Sequence, residues 1–239
     1  MPELTAIQRA VLRRISQLDL PAHAHVLDTP CGAAAALTLG LKAKGFSAIG
    51  ADLDEASASS LGEAFARVDL NAPLPWGDDT FDLAVSTEGI EHLENHFVFF
   101  REFWRVLKRN GILIVTTPNI TALRSRVRFF GSGFFGRDAR PLNESSRHPF
   151  HHISLATFPE LRYQLRVSGF QLLEVRHTHI KPISYLYAFY APWMWLYTRI
   201  AFRKEKDAAQ RQRNREILGS LLSPSLLFGE CLMLVAKKD

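Results

Sequence analysis

The sequence is poor in the residues that staple or anchor small proteins. Of 239 residues only two are cysteines, Cys31 and Cys231, far apart and in unlike contexts. That usage excludes a disulfide framework and a zinc ribbon, and it points to a reducing compartment. The start, Met1-Pro2-Glu3-Leu4, lacks the basic residues and apolar core of a secretory leader. Leu4, Ile7, Val11, Leu12, Ile15 and Leu18 recur at helical spacing instead, so an amphipathic helix is expected over 1–22. No internal repeat is present. The most apolar run, Ile183–Tyr197, is near the minimum length to span a bilayer but contains Pro192, which argues against a transmembrane helix.

What is there is an ordinary globular composition. Hydrophobic residues make up 47% and charged residues 22%, which excludes disordered and collagen-like classes and suits one large α/β domain over 1–239. The net charge of +5 is concentrated rather than spread. Arg199–Arg215 holds seven basic residues and two acids, and Arg124–Arg147 holds six and two. Each cluster reads either as a solvated helix face or as an attraction for an anionic partner: a membrane surface, a phosphorylated substrate or nucleic acid.

Apolar runs alternate with helical patterns. Strands are expected at His25–Asp28, Phe46–Asp52, Phe65–Asp69, Phe81–Ser86, Ile112–Thr116, Phe170–Ile180 and Phe228–Ala236. Helices are expected at Ala33–Lys44, Asn95–Lys108, Thr157–Ser168 and 203–222. The alternation implies a doubly wound, mostly parallel seven-stranded sheet with an antiparallel last strand and helices on both faces. The organisation is an N-terminal helix (1–22), a core that would bind a cofactor (23–118), a Phe- and Gly-rich substrate loop (119–150) and an aromatic helical insert (183–222) before the last strand. Ligands of such sheets bind beyond the carboxyl ends of the strands. Asp28, Asp52, Asp69 and Glu88 stand at four of those ends, an acid set that suits a ligand rich in hydroxyl and amino donors.

Val26-Leu27-Asp28-Thr29-Pro30-Cys31-Gly32-Ala33-Ala34 is a strand, a small-residue turn and a helix start. Ile49-Gly50-Ala51-Asp52-Leu53-Asp54 ends a second strand on an acid, and Val68-Asp69-Leu70 follows a third. Leu74-Pro75-Trp76, continuing to Phe81-Asp82-Leu83, enters a fourth strand. Arg105-Val106-Leu107-Lys108-Arg109-Asn110-Gly111 closes a helix before the fifth. In this order the fragments resemble the Rossmann-like, class I S-adenosylmethionine-dependent methyltransferases, closest to the ubiquinone-type group, from about residue 24 to 175 plus the last strand. The resemblance implies S-adenosylmethionine as cofactor. It places Asp28, Pro30, Cys31, Gly32 and Ala34 on the cofactor turn. Asp52 and Leu53 fall at the ribose, Asp69 and Leu70 at the adenine, and Thr87 at the end of the fourth strand. Two departures stand out: Pro30 replaces the first glycine of the turn, and Ala34 replaces the third.

Glu88-Gly89-Ile90-Glu91-His92 has the spacing of the Glu-x-x-Glu-His signature of the ubiquinone-type enzymes, where it is associated with a divalent metal. On a helix Glu88, Glu91 and His92 would converge on a hard or borderline ion such as Mg²⁺ or Zn²⁺. His148, His151 and His152 follow the Phe-Gly loop. A histidine of near-neutral pKa suits removal of a hydroxyl proton, so His152, which adjoins the matched helix, stands first as a base, with His92 and His151 beside it. The expected acceptor is a hydroxyl on a small molecule, or on a lipid- or glycan-linked one. The expected location is the cytoplasm, with peripheral contact to the inner face of a membrane through 183–215. A nucleic-acid methyltransferase is the alternative suggested by the basic clusters, but no Asn-Pro-Pro-Tyr-type motif or RNA-binding module accompanies them. A non-catalytic relative is the alternative suggested by Ala34 and the altered turn. The oligomeric state is left open by the sequence.

Overall fold

A computed structural model describes residues 2–135, 141–145 and 151–239. The expected sheet is there. Seven strands, β1 (His25–Asp28), β2 (Ser47–Asp52), β3 (Phe65–Arg67), β4 (Phe81–Thr87), β5 (Leu107–Pro118), β6 (Phe170–His177) and β7 (Cys231–Lys238), lie in the order β3-β2-β1-β4-β5-β7-β6. β7 runs antiparallel to both β5 and β6, and the other pairings are parallel. Chain order reverses between β1 and β4, so the crevice of a doubly wound sheet opens there.

Each face of the sheet is covered by a different group of helices. On one side, α1 (Ala6–Ile15) and α2 (Ala36–Ala43) bury Val11, Ile15, Leu37 and Leu41 against Val26, Leu83 and Ile114. A reciprocal capping box between Thr5 and Gln8 fixes the start of α1, and Arg14 near its end pairs with Glu174 of β6. On the other side, α4 (His96–Val106) and α6 (Phe158–Val167) contribute Phe99, Phe100, Phe103, Phe158, Leu161 and Leu165 to the larger core. Asn95 caps α4 by accepting from the N–H groups of Phe97 and Val98.

Several boundaries differ from the sequence reading. α2 starts at Ala36, not Ala33, because Ala35 at φ 45° keeps the turn non-helical for longer. α4 ends at Val106 and β5 begins at Leu107, five residues before the apolar run at Ile112. Phe81 and Leu107 are paired, and a register shift before Leu83 absorbs the polar residues between. β3 stops at Arg67, so Asp69 stands in a turn. A short α3 (Ala58–Leu61) lies between β2 and β3.

Within 119–150 the described residues include α5 (Leu123–Ser132), and the glycine at 136 and His148 lie outside the described residues. The aromatic run is a 3-10 segment, Pro182–Tyr190, followed by α7 (Ala191–Phe202). Pro192 falls in the first turn of α7, where its missing N–H costs no hydrogen bond, so it starts a helix rather than breaking one. The basic helix is α8 (Ala208–Leu221), and α9 (Pro224–Phe228) leads into β7. Among the described residues no helix is long and apolar enough to cross a membrane.

Candidate active site

The turn after β1 is stitched to both neighbouring strands. The N–H of Thr29 donates to Val85 of β4, and that of Cys31 donates to Ala51 of β2, each at 2.9 Å. Gly32 follows at φ 68°, a conformation that favours glycine, and its N–H donates to Asp52 Oδ2 at 2.8 Å. A Cβ at Gly32 would meet nothing within 4 Å, so space remains beside the backbone. Asp52 Oδ1 accepts from the Asp54 N–H at 3.1 Å. Each Asp52 oxygen thus keeps further acceptor capacity, and the carboxylate lines a cavity of about 540 Å³.

Pro30, Leu53, Val68, Asp69 and Leu70 line the same cavity. Leu53 is 46% exposed although apolar, which suits a flat ring laid over it. Asp69 Oδ1 accepts from both the backbone N–H and the side-chain amide of Asn71. The Asn71 Oδ1 then accepts from the Glu94 N–H at 2.8 Å, tying the Asp69 turn to the loop after β4. Asn71 was not singled out in the sequence; its position two residues after an acid, where an Asx turn forms, is the signal that could have found it. An exposed acid at one end, a buried acid at the middle and an open glycine turn make a fitting cradle for a nucleoside bearing an amino-acid tail.

Four of the expected cofactor residues do not reach this cavity with their side chains. Asp28 is fully buried beneath the turn, where Thr38 Oγ1 of α2 donates to its Oδ2 at 2.6 Å. Burial pushes its pKa up to about 7, against the pull of the Thr38 hydrogen bonds. Asp28 therefore braces the turn from behind. Cys31 packs with Ala35 and Leu61. Ala34 is exposed before α2, and Thr87 is half-buried in register with Thr116 of β5.

The loop after β4 carries the second constellation. Glu88 has φ 52°, a rare conformation for a residue with a side chain and one that concentrates at functional sites. Its carboxylate accepts from Thr116 Oγ1 at 3.2 Å and faces the Cys231 thiol at 3.6 Å. Burial raises the Glu88 pKa, and burial together with the Glu88 charge raises the Cys231 thiol. Gly89 follows, and a Cβ there would sit 2.5 Å from Pro30, so the two loops touch. Ile90–His92 form a 3-10 turn rather than the α-helix on which Glu88, Glu91 and His92 would converge. Glu88 is consequently turned toward β5 and β7. The group that does converge is Glu91, His92 and His152, with ligating atoms within 4.8 Å of one another.

Glu91 is fully buried; its Oε2 accepts from Thr117 Oγ1 at 3.1 Å, and its Oε1 has no hydrogen-bond partner. Burial and the neighbouring Glu88 push its pKa up to about 8. One unpartnered buried carboxylate oxygen beside two imidazoles is a donor set that fits a divalent ion. The segment after residue 150 is held against this turn. The Ser154 N–H donates to the Glu91 carbonyl at 3.0 Å, and His92 Nδ1 lies 3.0 Å from the His151 carbonyl. The rings of His92 and His152 meet edge to face with centroids 4.9 Å apart. His92 and His151 line the cavity; His152 is exposed, and burial of part of its ring and the His92 charge lower its pKa. His96, buried on the first turn of α4, was also missed. Burial lowers its pKa.

Known proteins are similar to this chain. A family profile described as a methyltransferase domain matches residues 27–115. A "Probable S-adenosylmethionine-dependent methyltransferase" of Mycolicibacterium smegmatis is 36% identical over 128 residues, covering 52% of this chain and 43% of that protein. A relative of the same description from Mycobacterium tuberculosis is 36% identical over 107 residues, covering 43% of this chain and 33% of its own length. The matched segments thus span under half the length of these curated relatives. Among solved structures, a SAM-dependent methyltransferase from Archaeoglobus fulgidus superposes with a TM-score of 0.56 at 18% identity, covering 97% of this chain and 94% of its own. At that identity the likeness speaks for the fold. The profile match and the relatives agree with the cradle at Gly32, Asp52 and Asp69: residues 27–115 carry a methyltransferase domain similar to that of S-adenosylmethionine-dependent methyltransferases, on the fold those enzymes share.

Proposed function

We propose that this protein transfers a methyl group from S-adenosylmethionine to a hydroxyl of a small-molecule, lipid-linked or glycan-linked acceptor. The supporting observation is one cavity that runs from Asp52 and Asp69 to His92 and His151. S-adenosylmethionine, when bound, supplies a methyl already activated on a sulfonium. Asp52 would accept the ribose hydroxyls, Leu53 and Leu70 would pack on the adenine, and Asp69 would accept its amino group. The remaining demands are orientation, exclusion of water and removal of one proton.

His92 suits the last of these. Its Nδ1 faces a backbone carbonyl, which can only accept, so the neutral ring carries its proton on Nδ1. Its Nε2 would then take the acceptor's hydroxyl proton while the methyl passes from sulfur to the acceptor oxygen, the S–C bond breaking to leave the neutral thioether. His151 supplies the orienting carbonyl and His152 packs against the ring. A divalent ion held by Glu91, His92 and His152 would instead lower the acceptor's pKa as a Lewis acid.

Two measurements test the reading. Calorimetry should detect S-adenosylmethionine binding, and its absence would remove the enzymatic function. With an acceptor found by mass spectrometry of candidate extracts, as a product heavier by one methylene, His92→Ala should lower kcat by about 10²–10⁴-fold. Unchanged turnover in His92→Ala removes that residue as the base. Calorimetric titration with Mg²⁺ and Zn²⁺, with Glu91→Ala as control, separates the metal arm.

A further inference from the structure

The insert between β6 and β7 carries two features the methyl-transfer site does not use. The first is a cleft of about 470 Å³ between the end of α7 and the face of α8. Four arginines line it: Arg199 on α7 and Arg203 at its C-cap, and Arg211 and Arg215 one turn apart on α8. Phe202 and Leu218 form its apolar floor. Like charges at this spacing repel along a helix, and the two pairs also face each other across the cleft. Among the described residues, none of the four takes part in an ion pair. The nearest acids in sequence are engaged elsewhere. Glu205 accepts from the Asp207 N–H, Asp207 caps α8, and Glu216 pairs with Arg162.

The second feature is the outer face of α7. Trp193, Leu196, Tyr197 and Ile200 follow the i, i+3, i+4, i+7 pattern of a single helical stripe. That pattern ordinarily marks a buried face, yet Trp193 and Tyr197 are 67% and 69% exposed. The buried face of the same helix is a different one, where Met194 packs with Leu123 and Leu227. The stripe is extended by Leu186 and Phe189 of the preceding 3-10 segment, both more than two-thirds exposed. Arg199 and Arg203 flank it on the helix.

We propose that α7 and α8 dock this protein onto an anionic phospholipid surface, with a headgroup phosphate in the four-arginine cleft and the α7 stripe in the acyl–headgroup boundary. Charge and polarity select that occupant. A phosphate matches the guanidinium fork, and an interface is the solvent in which aromatic and aliphatic side chains beside arginines are both satisfied. A purely polyanionic partner would leave the stripe in water, and a purely apolar one would leave the arginines unneutralised. The placement is also productive. The insert joins the sheet at Cys231, opposite Pro118 at the carboxyl end of β5, and the Cys231 thiol touches Glu88. The insert therefore enters the sheet at the same edge as the cavity. The inference does not depend on the methyl-transfer reading.

Flotation of the full chain with vesicles tests it. Wild type should float with phosphatidylcholine–phosphatidylglycerol vesicles at low salt and not with phosphatidylcholine alone, and added salt should release it. R211Q/R215Q should weaken that partitioning roughly 10- to 30-fold, the loss expected for two surface cations. W193S/Y197S should weaken it as well, and Trp fluorescence should shift to the blue on binding only when Trp193 is present. Circular dichroism melting of each variant confirms that the fold is kept. Binding of inorganic phosphate or RNA without vesicle binding would overturn the proposal. So would equal flotation with both lipid mixtures, or a wild-type dimer that W193S/Y197S converts to monomer. S-adenosylmethionine titration run in parallel reports separately on the cofactor site.

Discussion

The cofactor edge and the insert invert the usual order of a globular protein in opposite ways. At the edge, carboxylates are buried: Asp28 and Glu91 have no exposed surface, and Asp52 has little. In the insert, aromatics are exposed along a whole helix face while arginines gather around a cleft. Each inversion costs stability when the chain stands alone. Burying an acid raises its pKa, and exposing an apolar stripe forgoes its transfer from water. The edge persists because the β1 turn, Thr38 and Thr117 hold its acids in place within a rigid sheet. The insert is framed less tightly: α7 contacts α8 and the 3-10 segment more than it contacts the sheet, while α8 reaches the core only through Ile217 and Leu221 near its end. Chemistry held by strands can be precise, whereas a surface on peripheral helices gains its order from what it meets.

The comparison breaks most sharply on the core side. Phe103 is fully buried in the larger core under the sheet. Phe103→Ala should cost about 3–5 kcal/mol of unfolding free energy by urea titration, and a loss under 1 kcal/mol would mean that the sheet is not the stable frame described above. A pH effect of a few kcal/mol should follow from Asp28, whose folded pKa of about 7 lies above its ordinary 3.8. Between those values the folded chain holds a proton that the unfolded chain has released. Stability contributed by this group is therefore full below about pH 4, declines as pH rises, and levels off above about 7. Asp28→Asn should remove that decline, so parallel melting curves of both proteins across this window would sink the argument. At the crevice, Asp52→Ala should raise the dissociation constant for S-adenosylmethionine about 10- to 100-fold, the loss of about 1.5–3 kcal/mol expected of hydrogen bonds to a charged acceptor. Unaltered affinity would place the ribose elsewhere.

Much of the cofactor edge is legible in the sequence, and the reason is local. Strand ends, small-residue turns and acids lie within a few residues of one another, so Asp52, Leu53, Asp69 and Leu70 could be placed on the cavity from the chain alone. Asp28 was misplaced because alternation along a strand says which face a side chain takes, and not whether a neighbouring helix will claim it, as Thr38 does. Glu88 was grouped with Glu91 and His92 on the assumption of an α-turn. A left-handed residue followed by a 3-10 turn rotates it away, and φ is not written in a Glu-Gly pair. The approach of His151 and His152 to His92 joins segments about sixty residues apart, which no spacing rule reaches. In the insert, the basic and aromatic character was legible, but the pairing of Arg199 and Arg203 with Arg211 and Arg215 required the angle between two helices.

The smallest expected effect is the most discriminating for the insert. Trp193 and Ile200 lie on the exposed stripe of α7, at 67% and 52% exposure. Trp193→Ser and Ile200→Ser should each shift the unfolding free energy by no more than about 0.5 kcal/mol, as surface substitutions do. A large aromatic lost at so little cost is unusual, because the same side chain in a core is worth several kcal/mol. A drop of 2 kcal/mol or more would show that the stripe is packed in solution, as against a second copy of the chain. Measured against Phe103→Ala in the same buffer, the pair sets the contrast between a face folded for stability and a face kept open for contact.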